Sequence, residues 1–198
     1  MTAETAANIL WPLWYVTWIA AVVWSAKTKS QMKTDIAGAN RWLAGLGSLL
    51  LFAPAYLGHS AWKLGPFDWL LRKYWLEPSW VAWSLVGLIV AGFAFCWWAR
   101  LHLGRLWSGF VTVKEDHRVV DTGPYGLVRH PIYSGVIFSA LMMALLRASP
   151  ASLVGFVLFA IGFAMTAAVE ERFLREQLGA DAYDAYSRRV PMLVPMVR

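Results

Sequence analysis

Five uncharged, mainly apolar intervals divide the chain: Thr5 to Ala26, Trp42 to Trp62, Pro78 to Ala99, Pro131 to Leu146 and Ala148 to Val169. The interval from Pro131 has 16 residues and the others 21 or 22. A hydrocarbon core of about 30 Å takes roughly 20 helical residues, so four intervals span it directly. The short one crosses by running past Leu146 or where the protein thins the bilayer. The pattern thus predicts an all-α integral membrane protein with about five transmembrane helices. Arg147-Ala148-Ser149-Pro150 predicts a tight turn that makes the last two spans an antiparallel hairpin. Beyond Val169 apolar positions recur at helical spacing as far as Gly179, the expected stop, and a tail helix is expected after it.

Composition agrees with this. The chain has 198 residues, 59% of them hydrophobic and 15% charged, with thirteen tryptophans, more apolar surface than a soluble core of that size hides. One cysteine, Cys96, excludes a disulfide scaffold and a thiolate metal cluster. The net charge of +6 follows from topology without invoking nucleic acid. Fourteen Lys and Arg lie in the loop 27–41, the loop 100–130 and the tail 170–198, against four (Lys63, Arg72, Lys73, Arg147) in the other connections. The positive-inside rule places the basic side in the cytoplasm and the amino terminus outside. The first span has Glu4 and no basic residue at its head and lacks an Ala-x-Ala site, so it is expected to be retained. Tryptophans near span ends (Trp11, Trp14, Trp24, Trp42, Trp62, Trp75, Trp80, Trp97, Trp98, Trp107) are expected to anchor at the interface. Gly45 with Gly47, or Gly87 with Gly92, would admit close helix contact. One polytopic domain, 1–198, is expected, with its chemistry in 100–198.

The cytosolic connection after Arg100 mixes β-branched runs (Phe110 to Val113, Val119 to Val120) with turn signals (Glu115-Asp116, Gly123-Pro124), the pattern of a short surface hairpin. It ends in Gly123-Pro124-Tyr125-Gly126-Leu127-Val128-Arg129-His130-Pro131-Ile132-Tyr133-Ser134-Gly135. Pro131 suits the first helical position, which leaves Arg129 and His130 extended before a helix whose free amides favour an anion. Read blandly, both are positive-inside residues reaching for headgroups. Glu170 and Glu171 sit where cations are favoured, so a positive partner is needed. Arg175 offers an i,i+4 pair to Glu171, and Arg129 or a cationic ligand remains for the other acid. The hairpin puts His130 and Glu170 at one membrane depth. A small zwitterion with extra positive charge suits such a corner. His59, His102 and His117 have no metal-ligand spacing, and Cys96 reads as packing.

These residues resemble the isoprenylcysteine carboxyl methyltransferase family and, more distantly, the phosphatidylethanolamine N-methyltransferases. The match rests on Gly123-Pro124-Tyr125, Arg129-His130-Pro131-Ile132-Tyr133-Ser134-Gly135, Glu170-Glu171 and Tyr183-x-x-Tyr186-x-x-Arg189-Val190-Pro191 with Pro195. The resemblance implies S-adenosylmethionine as methyl donor, S-adenosylhomocysteine as product and a lipid-like or prenylated acceptor entering from the bilayer. His130 and Tyr133 would meet the cofactor's methionine moiety, Gly135 would also contact the cofactor, and Glu170 and Glu171 would be its acidic pair. Val128, Arg189 and Pro191 would line the adenosine. Arg129, with Tyr133, would hold the acceptor, and Arg129 and Glu170 would serve catalysis. A prenylcysteine-type carboxylate is the first acceptor reading; a phospholipid amine or small thiol is the second. A non-catalytic protein with a structural Arg/His–Glu cluster is the alternative from another class. Oligomeric state is not encoded in any of these signals.

Overall fold

The computed structural model describes residues 1–22, 28–31, 38–57, 65–104, 112–114 and 120–197. Among them run six α-helices: α1 Ala3–Val22, α2 Gly38–Leu57, α3 Ser79–Leu103, α4 Pro131–Arg147, α5 Pro150–Leu178 and α6 Ala180–Arg189. Two of these helices, Ser79–Leu103 and Pro150–Gln177, are by themselves long and apolar enough to cross a membrane, and α4 is a shorter apolar helix. The second helix begins earlier than its apolar interval, at Gly38, because Asn40 is buried and donates to the Thr166 hydroxyl of α5 at 2.8 Å.

The predicted turn between α4 and α5 is present and tight. Ala148 takes the left-handed conformation (φ 54°), and Ser149 caps α5 by exchanging hydrogen bonds with Ser152, with Pro150 in the first helical turn. The fifth helix therefore starts at Pro150 rather than at Ala148, and it runs on to Leu178 with Gly179 (φ 95°) ending it as expected. Alongside this hairpin, α2 packs on α5 and α3 on α4, while α1 lies against α3.

Bare backbone makes these contacts close. A methyl group on Gly155 would stand 2.5 Å from the Leu51 amide nitrogen and 2.7 Å from the Gly47 carbonyl oxygen, and one on Gly162 would stand 2.7 Å from the Ala44 nitrogen. Between α3 and α4 the same holds for Gly135, whose added carbon would lie 2.7 Å from the Gly92 carbonyl and 2.6 Å from Cys96 Sγ. Of the glycines expected at contacts, Gly47 and Gly92 are there, whereas Gly45 and Gly87 face open space. Small residues let helices approach until dispersion and polar contacts hold them, which matters where lipid competes for apolar surface. Ser139, fully buried, adds a hydroxyl donated across to Ile89 (3.1 Å).

The tryptophans divide. Trp42, Trp75, Trp80 and Trp98 are exposed on the protein surface, as interfacial anchors would be. Trp11 and Trp14 instead belong to the interior: Trp14 stacks on Phe93 (4.7 Å, 10°) and on Trp18, and Trp11 meets Phe93 and Phe52 edge-on. Trp97 joins them through Trp18. Their spacing on α1 puts them on the face that packs against α3, and edge-on and stacked ring pairs add to area burial. Trp24, Trp62 and Trp107 lie outside the described residues.

Ionic contacts tie the two ends of the bundle. At one end Arg147 meets Glu4 (3.1 Å) and Asn8, and Lys73 bonds Glu4 (2.8 Å) and Glu77 (3.0 Å). Burial opposes the Lys73 charge, but the two carboxylates outweigh it and hold its pKa above the ordinary value. At the other end Arg100, fully buried in the last turn of α3, donates to the carbonyls of Gly104 (2.6 Å) and Ala21 (2.9 Å), closing the C-terminal ends of α1 and α3 together.

The hairpin expected inside the loop after α3 falls mainly on residues outside the described ones; among the described residues the extended pairing is one between loops. Strand β1, Thr28–Gln31, follows α1, and β2, Thr112–Lys114, precedes α4; they pair antiparallel. Val120 is not in a strand, and Phe110, Glu115, Asp116 and Val119 lie outside the described residues. Valine-rich strand signals specify extension, not the partner.

Gly155→Val should lower thermal stability in detergent by about 1–3 kcal/mol, the usual cost of overpacking, because helix backbone stands in the way. Gly45→Ala should leave the unfolding midpoint unchanged or slightly higher.

Candidate active site

The short connection between α4 and α5 brings the start of one helix beside the end of the other. His130 caps α4 in a non-helical conformation, with Pro131 next, as the sequence predicts. On the facing turn of α5 stand Glu170 and Glu171.

The two adjacent carboxylates have different partners. Glu171 takes a two-pronged bond from Arg129, Nε to Oε1 at 2.6 Å and Nη2 to Oε2 at 3.0 Å, and its Oε1 lies 3.2 Å from His130 Nε2. Glu170 accepts the Tyr133 hydroxyl at 3.0 Å and lies 3.6 Å from His130 Nδ1; among the described residues no Lys or Arg pairs with it. The expected Glu171–Arg175 pair does not form. Arg175 instead grips Asp184 of α6 (2.7 and 2.8 Å), which holds the Asp184 carboxyl below its ordinary pKa. Arg129 supplies the closer and better-oriented fork, and α6 carries an acid to Arg175 that helical spacing alone could not reveal.

The imidazole of His130 lies parallel to the Tyr133 ring (5.5 Å, 1°), and Tyr133 meets Phe163 of α5 edge-on (5.3 Å). The one-turn spacing that put Tyr133 near His130 thus becomes a stack, with the phenol joining the acidic corner to an apolar wall.

After α6 the chain folds back over the start of α4. The amides of Arg129 and His130 donate to the carbonyls of Pro191 (2.8 Å) and Met192 (3.1 Å), and the Ser134 hydroxyl donates to Leu193 (2.6 Å). Both of these amides precede Pro131, so they are distinct from the free amides inside the helix expected to favour an anion. Arg129 Nη1 also reaches the carbonyls of Ser187 (3.0 Å) and Val190 (2.5 Å). With the fork to Glu171, a single Nη2 hydrogen of the guanidinium is left uncommitted among the described residues.

Tyr183 and Tyr186 are buried with Val190 against Leu174. The Tyr186 hydroxyl donates to the Tyr125 carbonyl at 2.8 Å. Burial pushes the phenol pKa values of Tyr125, Tyr183 and Tyr186 well up, so Tyr186 remains a hydrogen-bond donor across the working pH range. Tyr125 lies in the turn Gly123–Gly126, which His102 holds by bonding Thr122 (2.9 Å) and by facing the Tyr125 ring. Gly123 has a positive φ (57°), and a side-chain carbon there would stand 2.7 Å from the His102 ring. His59 and His117 lie outside the described residues.

Of the residues singled out in the sequence, Arg129, His130, Tyr133, Glu170 and Glu171 converge, and Pro191 joins them through its carbonyl. Val128 is fully buried just behind. Two are turned elsewhere. Gly135 packs against Gly92 and Cys96 of α3, on a different face of α4 from Tyr133. Arg189 is largely exposed and bonds Asp121 at 3.0 Å. Cys96, buried, donates to the Ile132 carbonyl at 3.3 Å, a packing role. Ser187 was not anticipated, and Ser134 and Val190 entered only as members of matched motifs; Ser187 and Val190 act through main-chain oxygens that no residue type marks.

Residues 85–176 match the model of the isoprenylcysteine carboxyl methyltransferase (ICMT) family. Protein-S-isoprenylcysteine O-methyltransferase B of Arabidopsis thaliana is 28% identical over 130 residues, 64% of this chain and 64% of that protein. The protein-S-isoprenylcysteine O-methyltransferase of Saccharomyces cerevisiae is 36% identical over 98 residues, covering 48% of this chain and 40% of the yeast protein. The cobalt-zinc-cadmium resistance protein CzcN of Cupriavidus metallidurans is 25% identical over 147 residues, 73% of this chain and 58% of CzcN. The chain thus spans a little under two thirds of the length of the plant relatives it matches.

Tyr186→Phe should lower stability by about 1 kcal/mol, the net value of one hydrogen bond, read as a lower midpoint in a thermal melt of the detergent-solubilised protein.

Proposed function

We propose, from the match of residues 85–176 to the isoprenylcysteine carboxyl methyltransferase family, that this chain is a member of that family and an integral-membrane S-adenosylmethionine-dependent methyltransferase. The acceptor in this reading is a lipid-like molecule of the prenylcysteine carboxylate type, reaching the site from the bilayer. Five helices, α1 to α5, cross the membrane, with the amino terminus outside and the site and tail in the cytoplasm.

The observation that carries the reading is the inequality of the two glutamates. Glu171 is neutralised by Arg129, whereas among the described residues Glu170 has a phenol and an imidazole beside it and no Lys or Arg. A carboxylate at a membrane boundary is costly unless a cation completes it. S-adenosylmethionine carries a sulfonium and an ammonium group, which fits that donor set. Bound there, it supplies an electrophilic methyl group.

The chain's own residues then have definite tasks. Glu170 takes the positive charge, Tyr133 orients that carboxylate, and the ring of His130 keeps Tyr133 in place. Tyr133 and Phe163 offer an apolar wall along which the reacting end of the acceptor aligns. In-line displacement asks for alignment and exclusion of water more than for proton transfer. A carboxylate acceptor needs no base. A phospholipid amine or a small thiol, the second reading, must lose a proton, and Glu170 is favoured for it because Glu171 is already engaged.

In isothermal titration of the solubilised protein, S-adenosylhomocysteine should bind the wild type, and Glu170→Gln should weaken binding about tenfold to a hundredfold, the worth of one charge-assisted contact. Absence of binding to wild type at millimolar ligand would sink the methyltransferase reading. Methyl-labelled cofactor offered with prenylcysteine analogues, aminophospholipids or alkyl thiols should label the prenylcysteine panel.

A further inference from the structure

We propose that Arg129 is a positioning residue, a clasp that fastens Glu171 and the tail to the start of α4, in place of the grip on the acceptor's carboxylate implied by resemblance. Its guanidinium spends Nε and Nη2 on both oxygens of Glu171 and Nη1 on the carbonyls of Ser187 and Val190. Three segments distant in sequence are thereby joined by one planar group: the approach to α4, the end of α5 and the end of α6. The backbone bonds from Arg129 and His130 to Pro191 and Met192 run beside it, so clasp and tail form one unit.

A residue that grips a substrate carboxylate needs two N–H groups free in parallel. Arg129 has one. Receiving such an acceptor would mean giving up Glu171 or the tail, each of which leaves a charged or polar group without its partner. Holding Glu171 also has a consequence for its neighbour. With Glu171 turned to Arg129, the adjacent Glu170 points to Tyr133 and His130, so the clasp orients the carboxylate assigned to the cofactor. This last step rests on the methyltransferase reading; the fastening of the tail does not.

The test combines two readouts on full-length protein in detergent, using Arg129→Ala, Glu171→Ala and the double variant. Without cofactor, hydrogen exchange by mass spectrometry should show faster exchange in peptides covering residues 127–134 and 186–194 in all three. S-adenosylhomocysteine affinity should fall about tenfold or more in Arg129→Ala, as for other residues that orient a ligand-holding group. The double variant should be no worse than the poorer single one, because the two residues act as a pair. The acceptor KM at saturating cofactor should change less than about twofold, within the usual scatter of independent sites. Guanidinium ion added to Arg129→Ala should restore part of the affinity.

If Arg129→Ala does not accumulate, Arg129→Lys serves. It keeps the charge but cannot span both Glu171 oxygens and two carbonyls, and should show the same loosening and weaker binding. Unchanged exchange and cofactor affinity with a raised acceptor KM would overturn the proposal, as would additive effects in the double variant. If the wild type binds no S-adenosylhomocysteine, the methyltransferase reading fails, while the exchange comparison still decides whether Arg129 holds the tail.

Discussion

Two residues, Ala148 and Ser149, separate the last turn of α4 from the first turn of α5, and the position of every side chain in the candidate site follows from that brevity. A connection so short forces the helices to run back antiparallel in contact. Each residue of one adds the same rise as a residue of the other, so the 17-residue α4 returns to the level of its own start near the end of the span in α5. Arg129 and His130 therefore meet Glu170 and Glu171, and neither pair has meaning without the turn.

Charge at that meeting point is arranged rather than merely balanced. Taking ions toward a low-dielectric region costs more than an isolated pair returns, unless geometry is good and remaining donors are satisfied. Arg129 meets both conditions, with a parallel fork to Glu171 and two tail carbonyls. Glu170 is the exception, held by a neutral hydroxyl beside a stacked imidazole. An asymmetry between two adjacent, chemically identical residues is a sharper functional signal than the presence of both.

The stretch that matches the family, 85–176, contains α4 and most of α5 but not the tail that closes over them. Ser187, Val190, Pro191, Met192 and Leu193 all contribute carbonyl oxygens to the start of α4. Tyr186 is anchored on Tyr125 in the turn that precedes it. The corner is thus assembled from the chain before α4, the end of α5 and the segment after α6. The opposite end, where Glu4 and Asn8 receive Arg147, secures α1 to the same hairpin.

Much of this was legible in order of residues alone: the apolar intervals, the turn at Arg147 to Pro150, the Gly179 stop, and the convergence of His130 with the acidic pair. Those features depend on helix length, turn chemistry and charge, which are properties of residue types at given spacings. Tertiary structure decided what spacing leaves degenerate. It chose Arg129 over Arg175 as the partner of Glu171, because α6 brought Asp184 to Arg175. It sent Trp11 and Trp14 inward while Trp42 and Trp80 stayed outside, because rotation of a uniformly apolar helix is set by what packs on it. It paired a strand after α1 with a strand before α4, and it placed Gly135 toward α3. Above all it supplied the carbonyl oxygens that bind Arg129 and Ser134, since every residue carries one and only the path of the chain determines which of them arrives.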